Sequence, residues 1–327
     1  MAIRLNSSRL VTVYGGSGFV GRHVVQALAR TGCRIRVAVR RPDLAGFLQP
    51  LGGVGQIHAV QANLRYPESV EQAAEDADVL VNLVGILYET GKQKFSAVQA
   101  EGPRWVAQAA KAVGAQSLIH VSAIGADRNS PSHYAQSKAI GEARVLKTIP
   151  DATILRPSIV FGPEDDFFNR FAALARIAPA LPLIGGGKTR FQPVFAGDVA
   201  KAVVAAIEGR ATAGHIYELG GPEVMTFKQV LQRILEYCQR RRLLVPVPFW
   251  LAYTKAAFLQ LLPSPLLTVD QVRLLEHDNV VSDDAKAARR TIEGLGIDPL
   301  PVDAVVPEYL ERFRARGEFA AFRRENG

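Results

Sequence analysis

Tyr134 and Lys138 stand four residues apart, a spacing that puts both on one face of a helix. An ammonium beside a phenol favours phenolate and lowers its pKa from about 10. Such a pair can exchange a proton with a carbonyl or alcohol oxygen while a nicotinamide exchanges hydride. Ser122 lies twelve residues earlier and has a hydroxyl that could hold the same oxygen. The YxxxK pattern alone is common by chance. Its order here, after a glycine loop and a serine at a strand end, is much more specific.

The glycine loop is Val11-Thr12-Val13-Tyr14-Gly15-Gly16-Ser17-Gly18-Phe19-Val20-Gly21. Gly16, Gly18 and Gly21 satisfy GxGxxG, and Gly15, Gly18 and Gly21 satisfy GxxGxxG. One glycine makes the tight turn, one lets backbone approach a pyrophosphate, and one lets the helix pack close to the strand. The helix that follows offers unpaired N–H groups and a positive dipole end to phosphates. Sites for NAD usually carry Asp or Glu about 20 residues further on, to accept from the ribose 2′-hydroxyl. Here Val39 is followed by Arg40-Arg41, with no acid before Asp43. Guanidinium groups suit a 2′-phosphate, so NADP(H) is expected in preference to NAD(H).

These residues need a scaffold. Leu10–Tyr14, 35–39, 57–60, 78–84, Ser117–Ser122 and 153–155 read as strands. Between them, Phe19–Arg30, Ser69–Ala77, 95–113 and 134–149 read as helices. Alternation of strand and helix means a parallel sheet covered on both faces, hence an α/β, doubly wound Rossmann fold. After Gly162 proline-rich loops interrupt the pattern, and from Gly221 the chain reads as mostly helical. The expectation is a nucleotide-binding domain over residues 1–220 and a smaller helical lobe for substrate or partner over 221–327.

Composition narrows the class. The chain has 327 residues, 48% hydrophobic and 21% charged, which excludes disorder as the main state. Cys33 and Cys238 are too few and too distant for a disulfide scaffold or a CxxC metal site, and a reducing compartment is expected. No metal is expected, since the six histidines form neither HxxxH nor HExxH. Residues 1–10 are too short and polar for a signal peptide, and no apolar run reaches membrane-spanning length. The net charge of +8 sits mostly in residues 1–150, with 17 Lys/Arg against 10 Asp/Glu. No helix-turn-helix, zinc-finger or RNP signature accompanies it, so nucleic acid is not expected.

Three further features compete for attention. Gly185-Gly186-Gly187-Lys188-Thr189 imitates a P-loop, but Pro182 replaces its first glycine, and a turn before a strand is expected. Asp165-Asp166 is read as a solvated loop. Arg240-Arg241-Arg242 precedes an apolar, aromatic helix containing Trp250, Tyr253 and Lys255. That segment suits either an anionic membrane surface or a lobe helix over the substrate cleft.

The order of motifs resembles the extended and atypical short-chain dehydrogenase/reductases over residues 9–220. The stretches 82–89, 120–126, 155–165 and 191–200 resemble one branch in particular, the nucleotide-binding accessory subunit of respiratory complex I and its bacterial relatives. In that branch the resemblance implies a tightly held NADPH without established turnover, and relatives linked to ubiquinone synthesis. The resemblance implies that Gly15, Ser17, Gly18, Phe19, Val20 and Gly21 hold pyrophosphate and that Arg40 and Arg41 meet the 2′-phosphate. It places Asn63 and Leu64 beside adenine, Leu83, Val84 and Gly85 under the ribose, and Pro157 and Ser158 near the nicotinamide. It makes Ser122, Tyr134 and Lys138 the catalytic set, with Lys138 also on the ribose. The family's helix asparagine is here Gln99 or absent. Two main readings stand, a reductase using these three residues or an NADPH-binding structural subunit or assembly factor of a respiratory complex, and a third is a peripheral membrane protein of quinone metabolism. Each is expected to be cytoplasmic, at or near the inner face of a membrane, with quinone as a candidate substrate.

Overall fold

The computed structural model describes residues 3–262 and 265–314; residues 315–327, the end of the expected lobe, lie outside the described residues. The chain forms two compact units, each built from several segments. The first runs to Pro157, then takes up Ala196–Leu219 and Val281–Asp298. The second holds Ser158–Phe195, Gly220–Val280 and the chain from Pro299.

The first unit holds a seven-stranded sheet. Its elements in chain order are β1 Leu10–Tyr14, α1 Phe19–Ala29, β2 Arg34–Val39, β3 Ile57–Gln61, α2 Pro67–Ala74 and β4 Val79–Asn82. Next come α3 Gly102–Ala112, β5 Ser117–Val121, α4 His133–Thr148 and β6 Thr153–Pro157. The helix Ala196–Ile207 and the strand Ile216–Leu219 complete it. The strand order is Ile216–Leu219, β6, β5, β4, β1, β2, β3, with every neighbouring pair parallel. This is the doubly wound Rossmann order, extended by one strand. Because helices cover both faces, β1 and β4 are buried along their whole length, which is why they read as unbroken apolar runs. On one face Tyr14, Leu80, Leu118 and Ile154 meet Val70 of α2, Val106 of α3 and Val145 of α4. Tyr14 keeps its hydroxyl satisfied there by donating to the Val70 carbonyl at 2.6 Å.

One expected helix differs instructively. The stretch read as 95–113 begins with a π-helical turn, Ser96–Glu101, and becomes α-helical only at Gly102. Pro103 explains the break. Its ring lacks an N–H and would clash with the carbonyl four residues back, that of Gln99. Widening the turn moves that carbonyl outward, against α4. A Cβ on Gly141 would lie 2.2 Å from it, so only glycine permits the approach. The short helix read as 69–77 starts earlier, at Pro67, since proline is well suited to the first helical turn.

In the second unit, the stretch read as proline-rich loop contains a helix, Phe167–Ile177, and a strand, Ala180–Ile184. The strand carries Pro182 and, among the described residues, pairs in parallel only with Leu243–Val247, an edge arrangement that tolerates proline. Asp165 is buried, not solvated. Its carboxylate accepts from the N–H groups of Phe168 at 2.6 Å and Asn169 at 3.2 Å and from the Tyr309 hydroxyl at 2.5 Å. It is a structural anchor at the helix start, and burial pushes its pKa up. The three glycines 185–187 form a tight turn with φ between +62° and +70°. The aromatic segment forms the helix Phe249–Leu259 with Trp250 and Phe258 exposed, and Leu261 is exposed just after it. Among the described residues no helix is long and apolar enough to cross a membrane.

Candidate nucleotide and active site

The site grows from the C-terminal edge of the first unit's sheet. Gly15 turns sharply after β1 with φ +80°, and a Cβ there would press on Val84 at 3.1 Å. The N–H of Gly18 donates back to the Gly15 carbonyl at 3.0 Å, closing the loop. Gly18 is the N-cap of α1; no side chain caps that end and no acid occupies its first turn. The N–H groups there are therefore available to an anion. Gly21 serves packing: a Cβ would lie 2.3 Å from the Gly15 carbonyl oxygen, which is too close to tolerate. Phe19 and Val20 form the first turn of α1.

A cleft opens beside this loop. Gly15, Ser17, Gly18, Arg40, Asn63, Leu64, Leu83, Val84 and Gly85 line it. The cleft thus runs from the glycine loop across the ends of β2, β3 and β4, the path a dinucleotide's adenosine half would need. Tyr14, Ala38, Val39 and Ala62 also line it. Strand order puts those strand-end residues there, a signal available once the sheet order is known. Ile86, Gln93 and Val98 complete the wall from the loop after β4 and the π turn, and none of them was expected in the site. The fit to a nucleotide is good: backbone N–H groups for phosphate, a wall free of acids, and a guanidinium at the far end.

The two arginines diverge. Arg40 lines the cleft. Arg41 does not, and its guanidinium grips Asp43 at 2.8 and 3.0 Å on the exposed surface.

Lys138 joins this cleft to the proton-handling groups. Its side chain is only 5% exposed, and its ammonium donates to the Val121 carbonyl at 3.5 Å, next to Ser122. It lies 5.9 Å from the Tyr134 ring centre, and a Cβ on Gly85 would come within 3.3 Å of Nζ. Gly85, Val121, Tyr134 and Lys138 therefore meet at one point. The Ser122 hydroxyl is buried with no hydrogen-bond partner among the described residues. Further along the same face of α4, Glu142 takes a two-pronged bond from Arg156 of β6 at 2.6 and 2.9 Å.

Electrostatics here departs from the simple expectation. Burial pushes Tyr134 up to about 12, so the phenol is fully protonated at neutral pH. Burial also brings Lys138 down to about 8, opposed by the Glu142 carboxylate. Desolvation is the cause that raises the phenol. The half-buried Tyr134 thus holds its proton at neutral pH.

Pro157 ends β6, and its carbonyl accepts from the Ile124 N–H at 3.0 Å. Ser158 begins the second unit, where its hydroxyl bonds the Asn279 carbonyl and amide oxygens at 2.9 and 2.7 Å.

Residues 11–220 match the model of the NAD dependent epimerase/dehydratase family. The chain belongs to that family. It is one of the extended short-chain dehydrogenase/reductases, a family of NAD(P)-binding Rossmann oxidoreductases. Among relatives, subunit 9 of the alpha subcomplex of mitochondrial NADH dehydrogenase (ubiquinone) 1 from Arabidopsis thaliana is 34% identical, over 95% of this chain and 79% of that protein. The ceramide reductase of Caulobacter vibrioides is 34% identical over 60% of each chain. Among solved folds, the NADPH-dependent quinone oxidoreductase of Escherichia coli, crystallised with NADPH, superposes with a TM-score of 0.71 at 19% identity. It covers 92% of this family member and 99% of its own chain.

Proposed function

We propose that the chain binds NADP(H) along the cleft and is built for hydride transfer between that nucleotide and a carbonyl or alcohol. The observation that carries this reading is the position of Lys138. Its ammonium is buried where the nucleotide cleft, at Gly85, meets Tyr134 and the strand end bearing Ser122. Arg40 supports the 2′-phosphate preference, since it lines the cleft and Arg41 is engaged by Asp43.

Bound NADPH supplies the hydride. The chain's residues supply the rest. In reduction, Ser122 Oγ donates to the substrate carbonyl oxygen and orients it. Tyr134 Oη would pass its proton to that oxygen, so that the carbonyl reduced by hydride becomes an alcohol and the tyrosine is left as phenolate. The Lys138 ammonium stabilises that negative charge and would also hold the ribose of a bound nucleotide. The phenolate then recovers a proton from solvent.

A second reading rests on a specific observation, the similarity over 95% of the chain to proteins named as NADH dehydrogenase subunits. Under it the protein is a structural subunit or assembly factor of a respiratory complex that keeps NADPH as a fixed ligand. Quinone is the substrate class that links both readings. The exposed Trp250, Phe258 and Leu261 with Lys255 suit an anionic membrane surface beside such a complex. Salt-sensitive sedimentation with anionic liposomes is the expected result, and no binding at low salt would remove that partner.

Chasing bound labelled NADPH with unlabelled NADPH separates the two readings. A reductase must release the nucleotide each cycle, so exchange within seconds is expected for it. Retention over hours would assign the nucleotide a structural role.

A further inference from the structure

His120 on β5 and Asn82 on β4 stand opposite each other in the sheet register, each only 1% exposed. The Val84 N–H donates to Asn82 Oδ1 at 3.1 Å. That bond orients the amide, so its NH2 group faces His120 Nδ1 at 3.2 Å. An amide NH2 only donates. Nδ1 must therefore accept, and the ring proton must sit on Nε2. His120 Nε2 is itself buried without a hydrogen-bond partner among the described residues. Lys138 of α4 is the charged group that acts on this ring, with Glu142 one turn further along the same helix. Gln99 adds two more buried amide atoms without partners, from a π turn whose backbone packs on α4 at Gly141.

Resting on the reading that Lys138 holds the nucleotide, we propose that Asn82 and His120 are a positioning pair for Lys138. Asn82 locks His120 as the neutral Nε2–H tautomer, so the imidazole offers a buried donor on the face of β5 that α4 covers, next in sequence to the Val121 carbonyl that Lys138 bonds, without adding a second positive charge. The chemistry follows from the donor count. Two cations side by side in a buried site would repel and drive Lys138 to lose its proton. Donor hydrogens from Asn82 occupy Nδ1, the one place a second ring proton could go. The Nε2–H then needs an oxygen acceptor, and a water or ligand hydroxyl shared with Lys138 is the class that fits. Burial and the Lys138 charge both push His120 down, to about 3, consistent with a ring that stays neutral.

The test is histidine-selective nitrogen NMR on the full chain, with the His120 signal assigned by its loss in His120→Gln. Should that variant not fold, substituting the other five histidines assigns it by elimination. The expected result is an Nε2-protonated ring that does not titrate between about pH 5.5 and about pH 8.5. An Nδ1-protonated ring, or an imidazolium in that range, would overturn the proposal. Asn82→Asp tests the lock at constant shape, because a carboxylate accepts from Nδ1–H. It should convert the ring to imidazolium and weaken NADPH binding about tenfold. A converted ring with unchanged NADPH affinity would overturn the positioning role. His120→Leu, which removes the donor, should also lose about tenfold, and His120→Gln, which restores one, should recover most of it. Failure of the unaltered protein to bind NADPH, with the ring in the expected tautomer, would instead refute the nucleotide reading.

Discussion

At the scale of single residues, Lys138 carries the sharpest consequences. Its pKa in the fold, about 8, lies below the 10.5 of an exposed lysine. Below pH 8 both folded and unfolded chains hold the proton, and the fold bears the full cost of burying the charge. Between about pH 8 and about pH 10.5 the unfolded chain binds more protons, so stability rises with pH. Lys138→Met removes the cost and should raise unfolding free energy by about 3 kcal/mol at pH 7, with a smaller gain at pH 9.5. Urea titrations at the two pH values measure it, and an equal gain at both would contradict the assignment. The same variant should bind NADPH more weakly, since stability and function oppose each other at this residue. Arginine chemistry makes a second prediction. Arg40→Ala should weaken NADPH about tenfold or more and leave NADH nearly unchanged. Arg41→Ala should alter the ratio far less, because Asp43 already occupies that guanidinium. Parallel fluorescence titrations of both variants decide between them.

At the scale of elements, the glycine loop and α1 behave as one rigid part. Gly21→Ala would push a methyl against the Gly15 carbonyl and the Gly16 backbone, at 2.3 and 2.7 Å. It should cost about 1–3 kcal/mol and abolish tight nucleotide binding, which a melting curve with and without NADPH reads out. This loop was legible in the sequence because its demands are local: the glycines, the strand before and the helix after all lie within a dozen residues. The same holds for Tyr134 and Lys138, one turn apart on α4. What was not legible depends on distant backbone. The π turn before α3 follows from Pro103, but its use appears only where Gly141 of α4 comes to meet it. Ile86 and Gln93 reach the cleft through a loop with no periodic signal. The desolvation that raises Tyr134, rather than lowering it, cannot be read from a four-residue spacing. Asp165 looked like a loop acid because the helix it anchors hides between prolines.

At the scale of the whole molecule, the family's Rossmann sheet is completed late. The strand Ile216–Leu219 joins β6 at the edge of the sheet only after the chain has left the first unit and returned. The parallel order puts every lining strand end on one edge, so a single ligand can tie β1, β2, β3 and β4 together. A nucleotide bound across those strands should stabilise the folded chain by about 2.7 kcal/mol at a hundred times its Kd. The measurement that bears most directly on the account is a calorimetric titration of the full chain with NADPH and, separately, NADH. The account predicts one site, filled by NADPH at least about tenfold more tightly than by NADH, with the advantage lost in Arg40→Ala. Equal affinities, or tighter binding of NADH, would contradict it.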